Sequence, residues 1–151
     1  TALLSNLKKF FAILILYGFT FCAQAQNCNR LAKRSVKNLE PFRFNGSLNK
    51  VLLSRGESAE LSLILRGGKK YRILVDGGNV MGVLSFKIYD RHKTLVFDNS
   101  KHDMAQYWDF NIGATQEYHI VVTYPVSNEG YNDITTRGCV ALAVGFLDKS
   151  P

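Results

Sequence analysis

The chain has 151 residues and a formal net charge of +7, a length for one domain with its own core rather than two. Much of that charge is local: residues 26–40 carry +3, and everything after them only +2. The sequence therefore excludes the broad basic field of a nucleic-acid-binding domain, and no nucleic-acid partner is expected.

The first 25 residues read as a secretory leader. Lys8 and Lys9 form a basic start, Phe10 to Cys22 is an apolar run, and Ala23-Gln24-Ala25 supplies small residues where a signal peptidase reads. Cleavage before Gln26 is expected. The apolar run is about 13 residues, against the roughly 20 of a spanning helix, so no transmembrane segment is expected after cleavage. The rival attachment is a lipid on Cys22, but Phe21 directly before that cysteine fits a lipobox poorly.

Residues 26–40 form a separate basic segment. Cys28, Leu31, Ala32, Ser35 and Leu39 repeat at helical spacing, which predicts a short amphipathic helix from Cys28 to Leu39 that ends before Pro41. Arg30, Lys33, Arg34 and Lys37 fall on its other face as a solvated stripe, or as a dock for an anionic partner. After cleavage two cysteines remain, Cys28 and Cys139, and in an oxidising compartment an even pair reads as a disulfide. The alternative is two buried free thiols.

From residue 41 to 151 the pattern changes to short alternating runs separated by Gly, Asn and Asp. Ala59, Leu61, Leu63 and Leu65 alternate with Glu60, Ser62 and Ile64. Tyr71, Ile73 and Val75 alternate with Arg72, Leu74 and Asp76, and Leu84, Phe86 and Ile88 with Ser85, Lys87 and Tyr89. Further strands are expected over Thr94 to Asp98, Tyr107 to Ile112, Tyr118 to Tyr124 and Gly138 to Leu147. Eight to nine strands without intervening helices predict an all-β, antiparallel, jelly-roll-like β-sandwich with a short N-terminal helix. Trp108 and Phe110 are expected in the core, with Tyr107 at its edge. The long segment from Pro125 to Arg137 is expected to be an irregular loop.

Two resemblances follow from these residues. Glu60 to Tyr124 is similar in pattern to bacterial pre-peptidase C-terminal domains, through Gly67-Gly68-Lys69-Lys70-Tyr71, Ser85-Phe86-Lys87-Ile88-Tyr89-Asp90 and Thr115-Gln116-Glu117-Tyr118-His119-Ile120. That resemblance implies a β-sandwich that assists binding or secretion. It departs at Gly77 to Val83, where the acidic residues of a calcium site are replaced by Gly-Gly-Asn-Val-Met-Gly-Val. The Ala-Gln-Ala-Gln cleavage region, Tyr107-Trp108-Asp109-Phe110 and Gly138-Cys139-Val140 resemble a family of small secreted proteins of Gram-negative bacteria. That family has no established activity, so this resemblance implies export and fold and no particular chemistry.

Catalytic motifs are absent from the sequence. There is no Gly-x-Ser-x-Gly elbow, and Gly67-Gly68-Lys69-Lys70 lacks both the P-loop spacing and the helix that should follow. His92 lies between Arg91 and Lys93, and His119 lies on a strand. His102, in a polar loop with Asp98 and Asp103, is the one place for a hard cation, zinc or an unfamiliar hydrolytic site, but it has no recognised ligand spacing. No catalytic residue, metal or cofactor is assigned.

The reading is an exported, noncatalytic binding or scaffold domain of the bacterial envelope, periplasmic or at the outer surface. An envelope protein or a glycan is the expected partner. The expected contacts are Tyr107, Tyr131, Asn132 and the basic set Arg30, Lys33, Arg34 and Lys37. The alternatives are a subunit of an envelope assembly, with exposed strand edges as its sign, and a small hydrolase around His102, Asp103 and Asp98.

Overall fold

The computed structural model describes residues 1–9, 22–126 and 137–148. Residues 2–9 are helical and exposed. The body contains helix α1 (Cys22–Lys37), strands β1 (Arg43–Ser54), β2 (Ser58–Leu65) and β3 (Lys69–Asp76), and the short helix α2 (Gly78–Met81). Strands β4 (Ser85–Asp90), β5 (Leu95–Asp98), β6 (Tyr107–Ile112), β7 (Gln116–Thr123) and β8 (Arg137–Asp148) complete it.

The strands form two four-stranded sheets, ordered β1-β8-β3-β6 and β2-β7-β4-β5. Pairing is antiparallel throughout, with β1 on β8, β2 on β7, β3 on β6 and β4 on β5. These four pairings are those of one long hairpin rolled onto itself, which is how a chain of short alternating strands makes a jelly roll. The sandwich expectation holds, with eight strands among the described residues.

Alternation works best where a strand has one wet face. On β2, Ala59, Leu61, Leu63 and Leu65 turn toward the core while Glu60, Ser62 and Ile64 stay exposed. The main core is filled by residues including Ile73, Phe86, Ile88, Ile120 and Val144, each at most 1 % exposed. Trp108 and Phe110 pack against it, and Tyr107 stays 46 % exposed, as expected.

Strand β3 departs from its predicted alternation. Ile73, Leu74, Val75 and Asp76 are all buried, because α1 covers the outer face of this sheet. Leu39, Phe42, Leu74 and Ala143 form a second, smaller core there. Gly145 permits the approach, since a Cβ on it would stand 2.8 Å from Phe42 Cβ.

The helix boundaries also differ from expectation. α1 begins at Cys22 and ends at Lys37, because Ala23, Gln24, Ala25 and Gln26 are good helix formers and extend the periodic segment backwards. Ala32, Ser35 and, just past the helix, Leu39 are buried as expected, with Arg30, Lys33, Arg34 and Lys37 exposed. Cys28 and Cys139 are joined, with S–S 2.07 Å and Cα–Cα 5.5 Å, tying the helix to β8. The apolar run from Phe10 lies almost wholly outside the described residues. Among these, no helix is long and apolar enough to cross a membrane.

Candidate functional site

A cleft of about 420 Å³ lies where α1 meets α2 and the start of β8. Its apolar lining comes from Leu31 on α1, Leu52 on β1 and the exposed Val80 on α2, together with Cys139 of the disulfide. Three arginines also line it: Arg30, Arg34 and Arg137. A Cβ on Gly78 would stand 3.6 Å from Leu31 Cδ1 and 3.8 Å from Arg34 Nη2, which shows how closely the two helices meet.

Each arginine reaches the cleft by a different route. Arg30 and Arg34 are one helical turn apart on α1. Arg137 opens β8, two residues before the disulfide. Arg34 is held by Asp76, the last residue of β3: Nη2 lies 3.0 Å from both carboxylate oxygens and Nε 3.3 Å from Oδ2. Asp76 is itself buried and also accepts from Gly78 N at 2.8 Å and from Ser35 Oγ at 3.4 Å. Arg34 Nη1 takes no part in the carboxylate pair. The carboxylate thus orients one wall of the cleft and ties α1, β3 and α2 together.

The lining residue types bind; they do not exchange protons. Arginine stays protonated at any physiological pH, and Cys139 is in a disulfide. None of the described residues lining the cleft carries a carboxylate, an imidazole or a free thiol. The chemistry on offer is retention of an anion beside an apolar body.

The structure gathers only part of the expected contact set. Arg30 and Arg34 line the cleft. Lys33 and Lys37 are exposed and stand outside its lining. Arg34 stays exposed with the rest of the stripe, and its guanidinium also pairs with Asp76. Tyr131 and Asn132 lie outside the described residues, as does most of the Pro125 to Arg137 loop. Tyr107 belongs to another cluster, at the edge strand β6. Its ring lies 4.3 Å from the Arg72 guanidinium, which also lies 4.4 Å from the Phe42 ring. Asp109 pairs with Arg72 through two bonds of 2.7 and 2.8 Å, and this bonding raises the Arg72 pKa. Leu31, Leu52, Val80 and Arg137 were missed, because the cleft joins four separate elements and no local pattern marks them.

The His102 loop is built as a turn. His102 stacks on Phe97 at 5.0 Å and contacts Trp108 at 5.0 Å. Asp98 caps the 3₁₀ turn Asn99–Lys101, accepting from Ser100 N at 3.0 Å and Ser100 Oγ at 2.7 Å, with Lys87 Nζ at 3.6 Å. The buried Asn99 amide donates to Leu84 O and Ala105 O and accepts from Phe86 N. Asp98, His102 and Asp103 therefore do not converge on a cleft. Among the described residues no group of three metal-ligating side chains comes together.

The cap carries a pH-dependent prediction. Hydrogen bonds from Ser100, aided by Lys87, hold the Asp98 carboxyl below its ordinary range despite its burial. Its contribution to stability is thus complete above the unfolded aspartate pKa of about 4. It is lost as pH falls through the lower folded value. Asp98→Ala is expected to cost about 1 kcal/mol near neutral pH. In urea titrations the gap between wild type and variant closes in strong acid; a gap unchanged there would reject this account.

No protein-family model and no curated protein matches this chain. The pre-peptidase C-terminal resemblance therefore stands without support. Among solved structures, the chain is similar to PliG of Aeromonas hydrophila, a periplasmic inhibitor of g-type lysozyme. The TM-score is 0.48 at 14% identity, over 67% of this chain and 85% of that one. PliG of Salmonella Typhimurium, also a periplasmic inhibitor of g-type lysozyme, gives 0.42 at 6% identity, over 67% of this chain and 86% of that one. Neither the scores nor the identities carry a function from these inhibitors to this chain.

Proposed function

We propose that this chain is an exported, noncatalytic binding domain of the bacterial envelope that holds an anionic ligand in the cleft between α1, α2 and β8. The observation that carries the reading is the make-up of that cleft: three arginines beside Leu31, Leu52 and Val80, with no acid–base or nucleophilic side chain among its described lining residues. Export is supported by the leader-like first 25 residues and by the Cys28–Cys139 pairing, a bridge at home in an oxidising compartment. Cleavage before Gln26 would remove the first turn of α1 and leave Cys28, Arg30 and Arg34 in the mature helix.

An assembly subunit is the second reading. The long edge strand β1 favours it, with Phe44 40 % and Val51 37 % exposed.

The test places a photocrosslinking amino acid at Val80 of the tagged full-length chain, expressed in a Gram-negative bacterium. We expect the chain in the envelope fraction, with one reproducible adduct that disappears in the Arg30→Ala/Arg137→Ala variant. Cytoplasmic fractionation, or labelling no different from a probe at exposed Ile64 on β2, rejects the reading. An adduct the mass of a protein, formed only from a probe at Val51, favours the assembly reading instead.

A further inference from the structure

Resting on that reading of the cleft, we propose that its ligand is a small amphiphilic anion: one carboxylate or phosphate head on an aliphatic or aryl body. Three features lead there. The volume, about 420 Å³, falls among single small-molecule sites of roughly 300–1,000 Å³ and is confined between a helix and the end of a sheet. Arginines and the apolar Leu31, Leu52 and Val80 line the same cleft, so the favoured ligand has both parts. The third feature concerns what the lining lacks.

An acidic peptide would bring main-chain N–H and C=O groups that need partners. The described lining contains no Asn, Gln, Ser or Thr to supply them. Nor does β8 offer a free strand edge for augmentation, because it lies between β1 and β3, with Leu52 opposite Cys139. A ligand with one charged end and no other polar group leaves nothing unsatisfied. Its head has Arg30 and Arg137 to draw donors from. Asp76 offsets the charge of Arg34 and Glu57 lies within electrostatic reach of Arg137, so three arginines against two carboxylates leave a surplus of one positive charge for one anion.

The experiment is calorimetry on the purified chain at low salt with octanoate, acetate, inorganic phosphate, octyl glucoside and a Glu-Leu-Glu peptide, the two amphiphiles kept below their micelle concentrations. Octanoate is expected to bind at least about tenfold more tightly than acetate, because part of its chain leaves water. It should also bind at least about tenfold more tightly than octyl glucoside, which lacks the charge. Arg30→Ala/Arg137→Ala should weaken octanoate by about tenfold or more. Val80→Glu adds a carboxylate to the cleft lining at an exposed position and should abolish octanoate binding while circular dichroism shows the sandwich intact.

Acetate or phosphate binding as tightly as octanoate overturns the amphiphile and leaves a simple anion site. Octyl glucoside binding as tightly removes the role of the arginines. A Glu-Leu-Glu peptide binding tighter than octanoate replaces the small molecule with a protein segment. No binding of any anion rejects both the ligand class and the cleft as the binding site.

Discussion

Replacing both Cys28 and Cys139 by alanine is expected to lower the unfolding free energy by about 4–5 kcal/mol, the chain-entropy value for a loop of this size. The two cysteines are 111 residues apart in sequence, so the bridge closes nearly the whole body of the protein. A domain of this kind has roughly 5–15 kcal/mol in total, and the variant therefore sits close to its unfolding threshold at body temperature. Urea unfolding under non-reducing conditions measures the loss; a decrease of under about 1 kcal/mol would reject the prediction.

The same variant reports on the cleft. Cys139 is part of its wall and Cys28 sits on the helix that carries Arg30 and Arg34. The helix keeps other ties: Ala32 and Ser35 are buried, Leu39 fills the second core, and Arg34 holds Asp76. Amide exchange separates two mechanisms. If α1 exchanges only as fast as β3 and β8 in the variant, the bridge acted by restricting the unfolded chain. If α1 exchanges well ahead of the sheets, the bridge also pins the helix locally, and anion binding should weaken with it.

The sheets were legible because their side chains answer to a local rule. Period-two alternation from Ala59 to Leu65 and from Leu84 to Ile88 states which face is dry, and each strand in turn points to the same sandwich. The rule failed at Leu74 and Asp76, whose burial comes from α1, an element some forty residues earlier in the chain. The basic stripe was legible as a helix face for the same local reason. That Arg34 turns to a carboxylate on β3 was not, since nothing near residue 34 announces residue 76. The cysteine pair was the exception among long-range features, because with Cys22 read as part of the expected leader, Cys28 and Cys139 had only each other as partners. The cleft is the opposite case. Arg137 and Leu52 are ordinary strand residues until folding puts them beside α1.

That long-range pair supports the second large prediction. Arg34→Met should destabilise the protein by about 3 kcal/mol, because it leaves a carboxylate out of water with fewer partners. The Asp76 side chain is 6% exposed and the Arg34 side chain 46%. Water can still reach the arginine, which places the loss at the low end for a broken buried pair. Gly78 N and Ser35 Oγ remain for Asp76, but neither carries a positive charge.

The reverse change is milder. Asp76→Asn keeps a side-chain oxygen for Gly78 N and leaves an arginine that can turn to solvent, so it should cost about half as much. The double variant Arg34→Met/Asp76→Asn should recover at least about 1 kcal/mol relative to the sum of the two single changes, the mark of a coupled pair. Purely additive losses in urea titrations would mean that Asp76 is sustained by Gly78 and Ser35 alone. Octanoate binding then separates stability from recognition. If Asp76 only orients Arg34, Asp76→Asn should weaken octanoate modestly although it adds net positive charge to the cleft; if its negative charge merely opposes the ligand, the same substitution should tighten binding.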